Sequence, residues 1–505
     1  MKKILFLLTI ASGLLVASCS RKAPAFVNSI PEETIAVVSV HPMQIHSKGQ
    51  LNTLEHLKQK VRDEVWSAVL NDPLSTGLDM NEYSFLFVFM EEGSPVIGVV
   101  SGMKNEDKFI ALLEHGMEGI RDEFKTGEGF TYVQPETEGI VGWNDEQVIA
   151  LAAPDPEELP SGYLETKLSS LFHPVKEESV ASIVDFKDFL GNMKDLNFWV
   201  SSADLQEILK ELARDDMEFD FPMELYGNYA QVYVDFADGE MKVDGETHFS
   251  EEVEKNLENV LVMNPSLNKD MLELAPGNDL LLGLALSLNL EKASAMFRQM
   301  APTDLGDVGS KVESATGVPA KDLLEALTGD ITLAVNGVEG QSLIPVELFI
   351  GLGVNSEAIQ EKLMDRVDDM APVEKSGDFF VINFNGNEIY SGIVNNTWIL
   401  TNCKGYQSSI EGGGLEKTLL DSRFADFADG SSGLFLNLDL SSYPAMLHSL
   451  LASKPVQSAW VEKLTGSFES LGASGSNYES HMVLKTTEPG ENSLYTILKM
   501  TEPSE

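Results

Sequence analysis

Cys19 closes the stretch Leu15-Val16-Ala17-Ser18-Cys19, after a basic Met1-Lys2-Lys3 start and an apolar run from Ile4 to Val16. That order is the one found in secretory signal peptides, and its cut site resembles the bacterial lipobox. The chemistry implied is acylation: the Cys thiol is diacylated, the residue is freed by cleavage, and its new amine is acylated again. The apolar run is too short to span a bilayer as a stable helix. Two or more acyl chains, by contrast, hold a protein firmly, at about 0.8 kcal/mol for each buried methylene. The plainer alternative is a cut after Ala-Ser with Cys19 incidental, which would leave a lone exposed thiol on a secreted chain.

Elsewhere the residues capable of chemistry occur in incomplete sets. Ser101-Gly102-Met103-Lys104 and Lys125-Thr126-Gly127 fit the S-x-x-K and K-T-G of penicillin-interacting enzymes, in which Ser attacks while Lys takes its proton. Their spacing is too short for the domain such motifs bracket, and no S-x-N lies between them. Ser101 is read instead as the place where a hairpin strand hands over to a helix. Gly412-Gly413-Gly414-Leu415-Glu416-Lys417-Thr418 has the outline of a phosphate-binding loop. Glu416, however, stands where Gly must let the backbone approach phosphate, and its charge would repel a nucleotide. His41, His46 and His56 could ligate Zn²⁺ only if a strand end and two helix positions converged, so ordinary histidines are expected. Asp235, Asp238 and Glu240 crowd one hairpin turn, where turn chemistry accounts for them without Ca²⁺. No catalytic residue, metal or cofactor is assigned. Trp199, in the apolar knot Asn197-Phe198-Trp199-Val200, is the one aromatic read as a candidate partner contact. Trp66, Trp143, Trp398 and Trp460 have core readings, and Cys403 is expected to be a small buried side chain.

The balance of 35 basic against 80 acidic side chains, a net charge of −45, disfavours nucleic acid and anionic headgroups as partners. Acids recur in pairs such as Glu91-Glu92, Glu157-Glu158 and Glu251-Glu252, which read as a solvated, mutually repelling surface. With two cysteines, one of them Cys19, no disulfide framework forms within the chain, and stability must come from the core. A length of 505 residues with 25 Phe suffices for two domains of ordinary size.

The elements that would position all of these residues repeat along the chain. Four times a short strand is followed by a helical stretch, a Gly-polar turn, a β-hairpin and an amphipathic helix. The opening strands are expected at Thr34–Val40, Val180–Phe186, Leu280–Leu288 and Leu434–Leu440. The turns are Ser75-Thr76-Gly77, Leu225-Tyr226-Gly227, Leu327-Thr328-Gly329 and Leu464-Thr465-Gly466, with Gly suited to a helix C-cap. Alternating runs predict hairpins from Tyr229–Phe236 with Met241–Phe249 and from Ile331–Asn336 with Val346–Val354. Helices should follow at Glu106–Met117, Glu251–Val262, Ser356–Val367 and Glu491–Met500. Matching strand clusters at Phe130–Ala152 and Phe379–Asn402 suggest a duplicated domain, since the offset far exceeds solenoid periods.

The expected fold is therefore α+β: two similar lobes, each an antiparallel-rich sheet with helices covering one face. The segments expected are a signal peptide over 1–18, a lipidated tether over 19–29, lobes over 30–268 and 269–488, and a C-terminal helix and tail over 489–505. Residues 152–160, with three prolines, read as an exposed linker.

The lipobox start, Ile30-Pro31 with Val37-Val38-Ser39-Val40, and the Leu327-Thr328-Gly329-Asp330 turn resemble one family of Bacteroidota envelope lipoproteins. That family is catalogued as domain of unknown function 4836. The resemblance implies an envelope location and carries no functional residues. Ser20-Arg21-Lys22 after the Cys, with no Asp, points by lipoprotein sorting rules to the outer membrane. Surface-exported lipoproteins of this phylum often carry acids just after the Cys; here the first is Glu32, so a periplasm-facing position is expected. Two functions remain open at this stage. One is a non-enzymatic binding or scaffolding protein with a protein or glycan partner, touching membrane only through its lipids. The other is a hydrolase of glycan or cell wall using a carboxylate pair that sequence does not display.

Overall fold

The computed structural model describes residues 24–60, 70–117, 119–136, 139–154, 156–201, 228–251, 262–294, 311, 313–314, 317–338, 345–368, 371–384, 387–447 and 463–502. Cys19, Trp66, Trp460, the Leu225-Tyr226-Gly227 turn and most of the helix expected over Glu251–Val262 lie outside the described residues. By its internal contacts the chain divides into two units, Met1–Asp235 and Phe236–Glu505.

The first unit is built on β1 (Thr34–Val40), β2 (Ser84–Glu91), β3 (Ser94–Gly102), β4 (Lys125–Thr126), β5 (Thr131–Glu136), β6 (Gly139–Trp143), β7 (Gln147–Ala152), β8 (Leu196–Ser201) and β9 (Tyr229–Ala237). They lie side by side in the order β9-β8-β1-β2-β3-β7-β6-β5-β4, and every pairing is antiparallel. Strands form here because β-branched and aromatic residues dominate each run, and the turns at the ends of β2 and β3 admit tight reversal at Gly93, φ +88°. The period of two sends Phe85, Phe87 and Phe89 to one face, where all three are fully buried.

The helices α1 (Pro42–Lys48), α2 (Glu106–Gly116), α3 (Tyr163–Phe172) and α4 (Val184–Asn192) belong to this unit. Leu164, Leu168 and Leu171 of α3 and Phe186 and Phe189 of α4 join the phenylalanines of β2 in one core. On the opposite face α2, capped by the Asn105 side chain accepting from Lys108 N, packs Phe109 against Trp143, Val133 and Val148. Helices thus cover both faces, where the sequence predicts one, because β2, β3 and β7 are apolar on both.

The second unit holds β10 (Glu240–His248), β11 (Leu280–Ser287), β12 (Leu327–Gly337), β13 (Val346–Val354), β14 (Val373–Ser376), β15 (Phe379–Phe384), β16 (Asn387–Val394), β17 (Thr397–Thr401), β18 (Ser432–Asn437), β19 (Phe468–Gly475) and β20 (Glu479–Thr486). Their order is β10-β20-β19-β18-β11-β12-β13-β17-β16-β15-β14, again antiparallel throughout. Helices α5 (Ala320–Ala326), α6 (Ala358–Asp368) and α7 (Ser493–Met500) accompany them. Gly329 interrupts β12 at φ +100°, where a Cβ would stand 1.9 Å from the Leu288 carbonyl oxygen, so only Gly fits this bulge. β10, assigned from sequence to the first lobe, takes β20 as a ladder partner and is grouped with the second unit.

Three local expectations are corrected. The strand expected at Val180–Phe186 is a 3-10 turn followed by α4, because Phe186, Phe189 and Leu190 fall at helical spacing and all three are buried. The strand of that repeat is β8. The tether expected over 19–29 is folded from Ala25 onward, as a 3-10 turn that buries Val27 and Ser29. The strand expected at Leu434–Leu440 stops at Asn437, because Asp439 caps a 3-10 turn by accepting from Ser441 N. The linker expected over 152–160 is exposed at Ala152, Pro154, Glu157, Glu158 and Pro160, and buried Ala153 and Leu159 anchor it in the core of the first unit.

Candidate functional site

Because side chains alternate along a strand, each neighbouring pair in the ladder places a row of residues on one face. On the face of the first unit that carries α2, one row runs Val232, Phe198, Val38, Leu86, Val99, Ala150, Val141. The next runs Ala230, Val200, Ala36, Val88, Ile97, Ala152, Gly139. Neither row contains a polar side chain. Leu86, Ile97, Val99 and Phe198 remain 41%, 37%, 39% and 36% exposed. Single exposed apolar residues are ordinary, but a contiguous apolar surface marks a place where something binds.

Where α2 ends, this face opens into a groove of about 430 Å³ along β3, β7, β6 and β5. Met117, just past α2, forms one wall, with Ile97, Val99, Val141, Ala150 and Ala152 in the floor. None of its described lining residues carries an ionisable or hydrogen-bonding side chain. Among the described residues the walls supply no nucleophile, no general acid or base and no hard metal ligand. What they offer is hydrocarbon contact.

The residues singled out by sequence fall elsewhere. Trp199 has no exposed surface: on β8 it stacks on Tyr229 at 5.0 Å and meets the edge of Phe186 at 5.2 Å. That corrects its reading as a partner contact, since the odd positions of β8 face the core and leave its neighbour Phe198 outside. Ser101 is buried and bonded to the Ser84 hydroxyl at 2.9 Å, while Lys104 Nζ lies 3.5 Å from Asp79. Lys125 and Thr126 are on β4, four strand positions from β3, or about 19 Å at the usual spacing. The three residues of an acyl-transfer site thus do not meet.

The histidines also diverge. His41 caps α1, its Nδ1 accepting from Gln44 N, and sits edge-on to Tyr83 at 5.1 Å. His46 Nε2 bonds the Leu70 carbonyl at 3.0 Å, and His56 lies on the helical segment Glu55–Lys60. Asp235 accepts from Lys48, Asp238 from Asn492, and Glu240 pairs with Lys242. Among the described residues no group of three or more His, Cys, Asp or Glu is placed to hold a metal ion. Gly413 and Gly414 form a left-handed turn after the helical segment Tyr406–Glu411, and Thr418 donates from its N and Oγ1 to Asp421. Those bonds, with the backbone one foremost, hold the Asp421 carboxyl below its usual range.

Cys403 is buried, and burial pushes its thiol up to about 12. Since the thiolate is the reactive form, folded protein carrying Cys19→Ala should leave an aromatic disulfide reagent untouched at pH 8. One thiol per chain should react once urea unfolds it. Rapid reaction before unfolding would contradict this placement.

The groove was not foreseen, although its signal is present. Val96-Ile97-Gly98-Val99-Val100 of β3 and Val148-Ile149-Ala150-Leu151-Ala152 of β7 do not alternate with polar residues, which means strands covered or contacted on both sides.

Residues 26–494 match the profile of the domain of unknown function DUF4836. The chain belongs to that family. No curated protein matches it. Among solved structures the family member is similar to TP0453 in crystal form III, with a TM-score of 0.28 at 11% identity over 48% of this chain and 88% of that one. Crystal form IV of TP0453 gives a TM-score of 0.30 at 10% identity, over 50% and 91% of the two chains. At such scores the likeness is too slight to bear on fold or function.

Proposed function

We propose that this protein is a non-enzymatic binding protein of the bacterial envelope. In this reading it is held by lipids on Cys19 at the outer membrane, facing the periplasm, and takes its ligand on the apolar face of the first unit. The single observation that supports the binding surface is the groove beside α2, which has hydrocarbon walls and no covering element among the described residues. The lipobox and the family resemblance support the location. A glycan is a poorer ligand than sequence alone suggested, because sugar hydroxyls would lose their hydrogen bonds against such walls. A hydrolase has less support, because the described walls of the groove carry no carboxylate pair of the kind that glycoside cleavage needs.

The two units read as descendants of one duplicated domain of a Bacteroidota lipoprotein. The order β4-β5-β6-β7-β3-β2-β1-β8-β9 recurs, position for position, as β14-β15-β16-β17-β13-β12-β11-β18-β19, which supports that reading.

The test is recovery of bound material from cells. Natively anchored protein is crosslinked and purified beside a Val99→Glu variant, and co-purifying proteins and lipids are both measured. Val99 points away from the core, so the variant should fold, with circular dichroism as the control. Whatever binds the face should fall at least tenfold in the variant. Equal recovery from both proteins would remove this face as the binding surface.

A further inference from the structure

Resting on the reading of this groove as a binding surface, we propose that its occupant is the single acyl chain of a lipid with a zwitterionic headgroup. Three properties of the site argue for a hydrocarbon chain over other apolar partners. The first is its shape. The groove runs across four neighbouring strands, β3, β7, β6 and β5, about 14 Å at the usual spacing, a path that an extended chain can follow.

The second property is the lack of polar partners among the described walls. An extended peptide brings a backbone N–H and C=O at every residue, and each must be paired once water is removed. The groove floor is the side-chain face of a sheet whose own backbone groups are taken up in the ladders β3–β7 and β6–β7. An acyl chain asks for nothing of this kind, and its burial is favourable in proportion to apolar area.

The third is continuity. Met117 belongs both to the groove wall and to the hydrophobic cluster in which Phe109, Ile110 and Leu113 of α2 pack on Trp143 and Val148. The groove prolongs a contact surface that is already dry. Met is suited to such a wall, because its flexible side chain adapts to a chain of variable position. The headgroup is set by charge. A protein with a net charge of −45 disfavours an anionic head near its surface and tolerates a zwitterionic one.

The test uses the full secreted chain carrying Cys19→Ala, so that no lipid of its own competes. The probe is a fluorophore-labelled, single-chain zwitterionic lysophospholipid, titrated below its micelle concentration. One probe per chain is expected. Val99→Glu, which puts a charge in the floor, should weaken binding at least tenfold. Ala150→Leu, which fills the floor without adding charge, should weaken it severalfold while leaving the unfolding midpoint unchanged. A single-chain lipid with an anionic head should bind severalfold more weakly than the zwitterionic probe.

Absence of saturable binding to the parent protein, or binding indifferent to both variants, overturns the assignment. If the lipid probe fails while anchored protein still recovers a protein partner in a Val99-dependent way, the acyl chain is wrong and the binding-protein reading stands. If both fail, both readings fall.

Discussion

Protein carrying Cys19→Ala, secreted through a conventional signal sequence, should appear wholly in the soluble fraction, whereas the parent chain sediments with membranes. This is the largest effect expected of any single substitution here. Each buried methylene contributes about 0.8 kcal/mol, so several acyl chains together make detachment negligible. Without them little else would keep the protein at the bilayer. No helix among the described residues is long and apolar enough to cross a membrane, and the net charge of −45 opposes adsorption to anionic headgroups. Fractionation followed by a high-salt wash reads the result. A Cys19→Ala protein that stays with membranes through the wash would sink the anchoring claim.

Trp199→Ala should destabilise the first unit by about 3–5 kcal/mol, the usual cost of emptying a buried aromatic site. That is a large share of the total for a domain of this kind. The indole lies against Phe186 of α4 and Tyr229 of β9, so its removal loosens a helix and a strand together. Trp199→Phe should cost far less, roughly 1 kcal/mol. The indole Nε1 is buried with no hydrogen-bond partner among the described residues, so Phe forfeits no bond. Urea unfolding followed by circular dichroism separates the two variants. Should Trp199→Ala unfold at the parent midpoint while losing a binding partner, the residue would be a surface contact after all, and its placement in the core would be wrong.

Much of the local structure is legible in the sequence, for reasons visible at particular residues. β1 has the bounds its apolar run predicts, Thr34–Val40; Pro42, which lacks a backbone N–H, opens α1 two residues after it. The hairpin of Ile331–Asn336 with Val346–Val354 lies within β12 and β13. α2 and α6 occur where three-four spacing of apolar residues follows a hairpin. The failures are as specific. Val180–Phe186 is apolar enough for a strand, and only the continuation to Phe189 and Leu190 discloses the helical stripe. A short apolar run supports either period, and its neighbours in space decide between them.

Trp199 and Phe198 show the same limit at the level of one residue. Composition marks both as apolar and adjacent, so one must face the core and one must not. Which is which depends on how β8 registers against β1, where Trp199 stands opposite Val37 and Phe198 opposite Val38. No local rule supplies that register.

By itself, then, the sequence determined the acidic balance, the antiparallel hairpins and the core placement of Trp143, Trp398 and Cys403, because each follows from composition, short-range chemistry or periodicity along the chain. The groove was decided by tertiary structure alone. Ile97 comes to lie beside Ala152, and Val99 beside Ala150, only because β7 returns past β6 to pair with β3. That pairing joins residues some fifty positions apart, and it is the packing of both sheet faces, rather than any motif, that selects it.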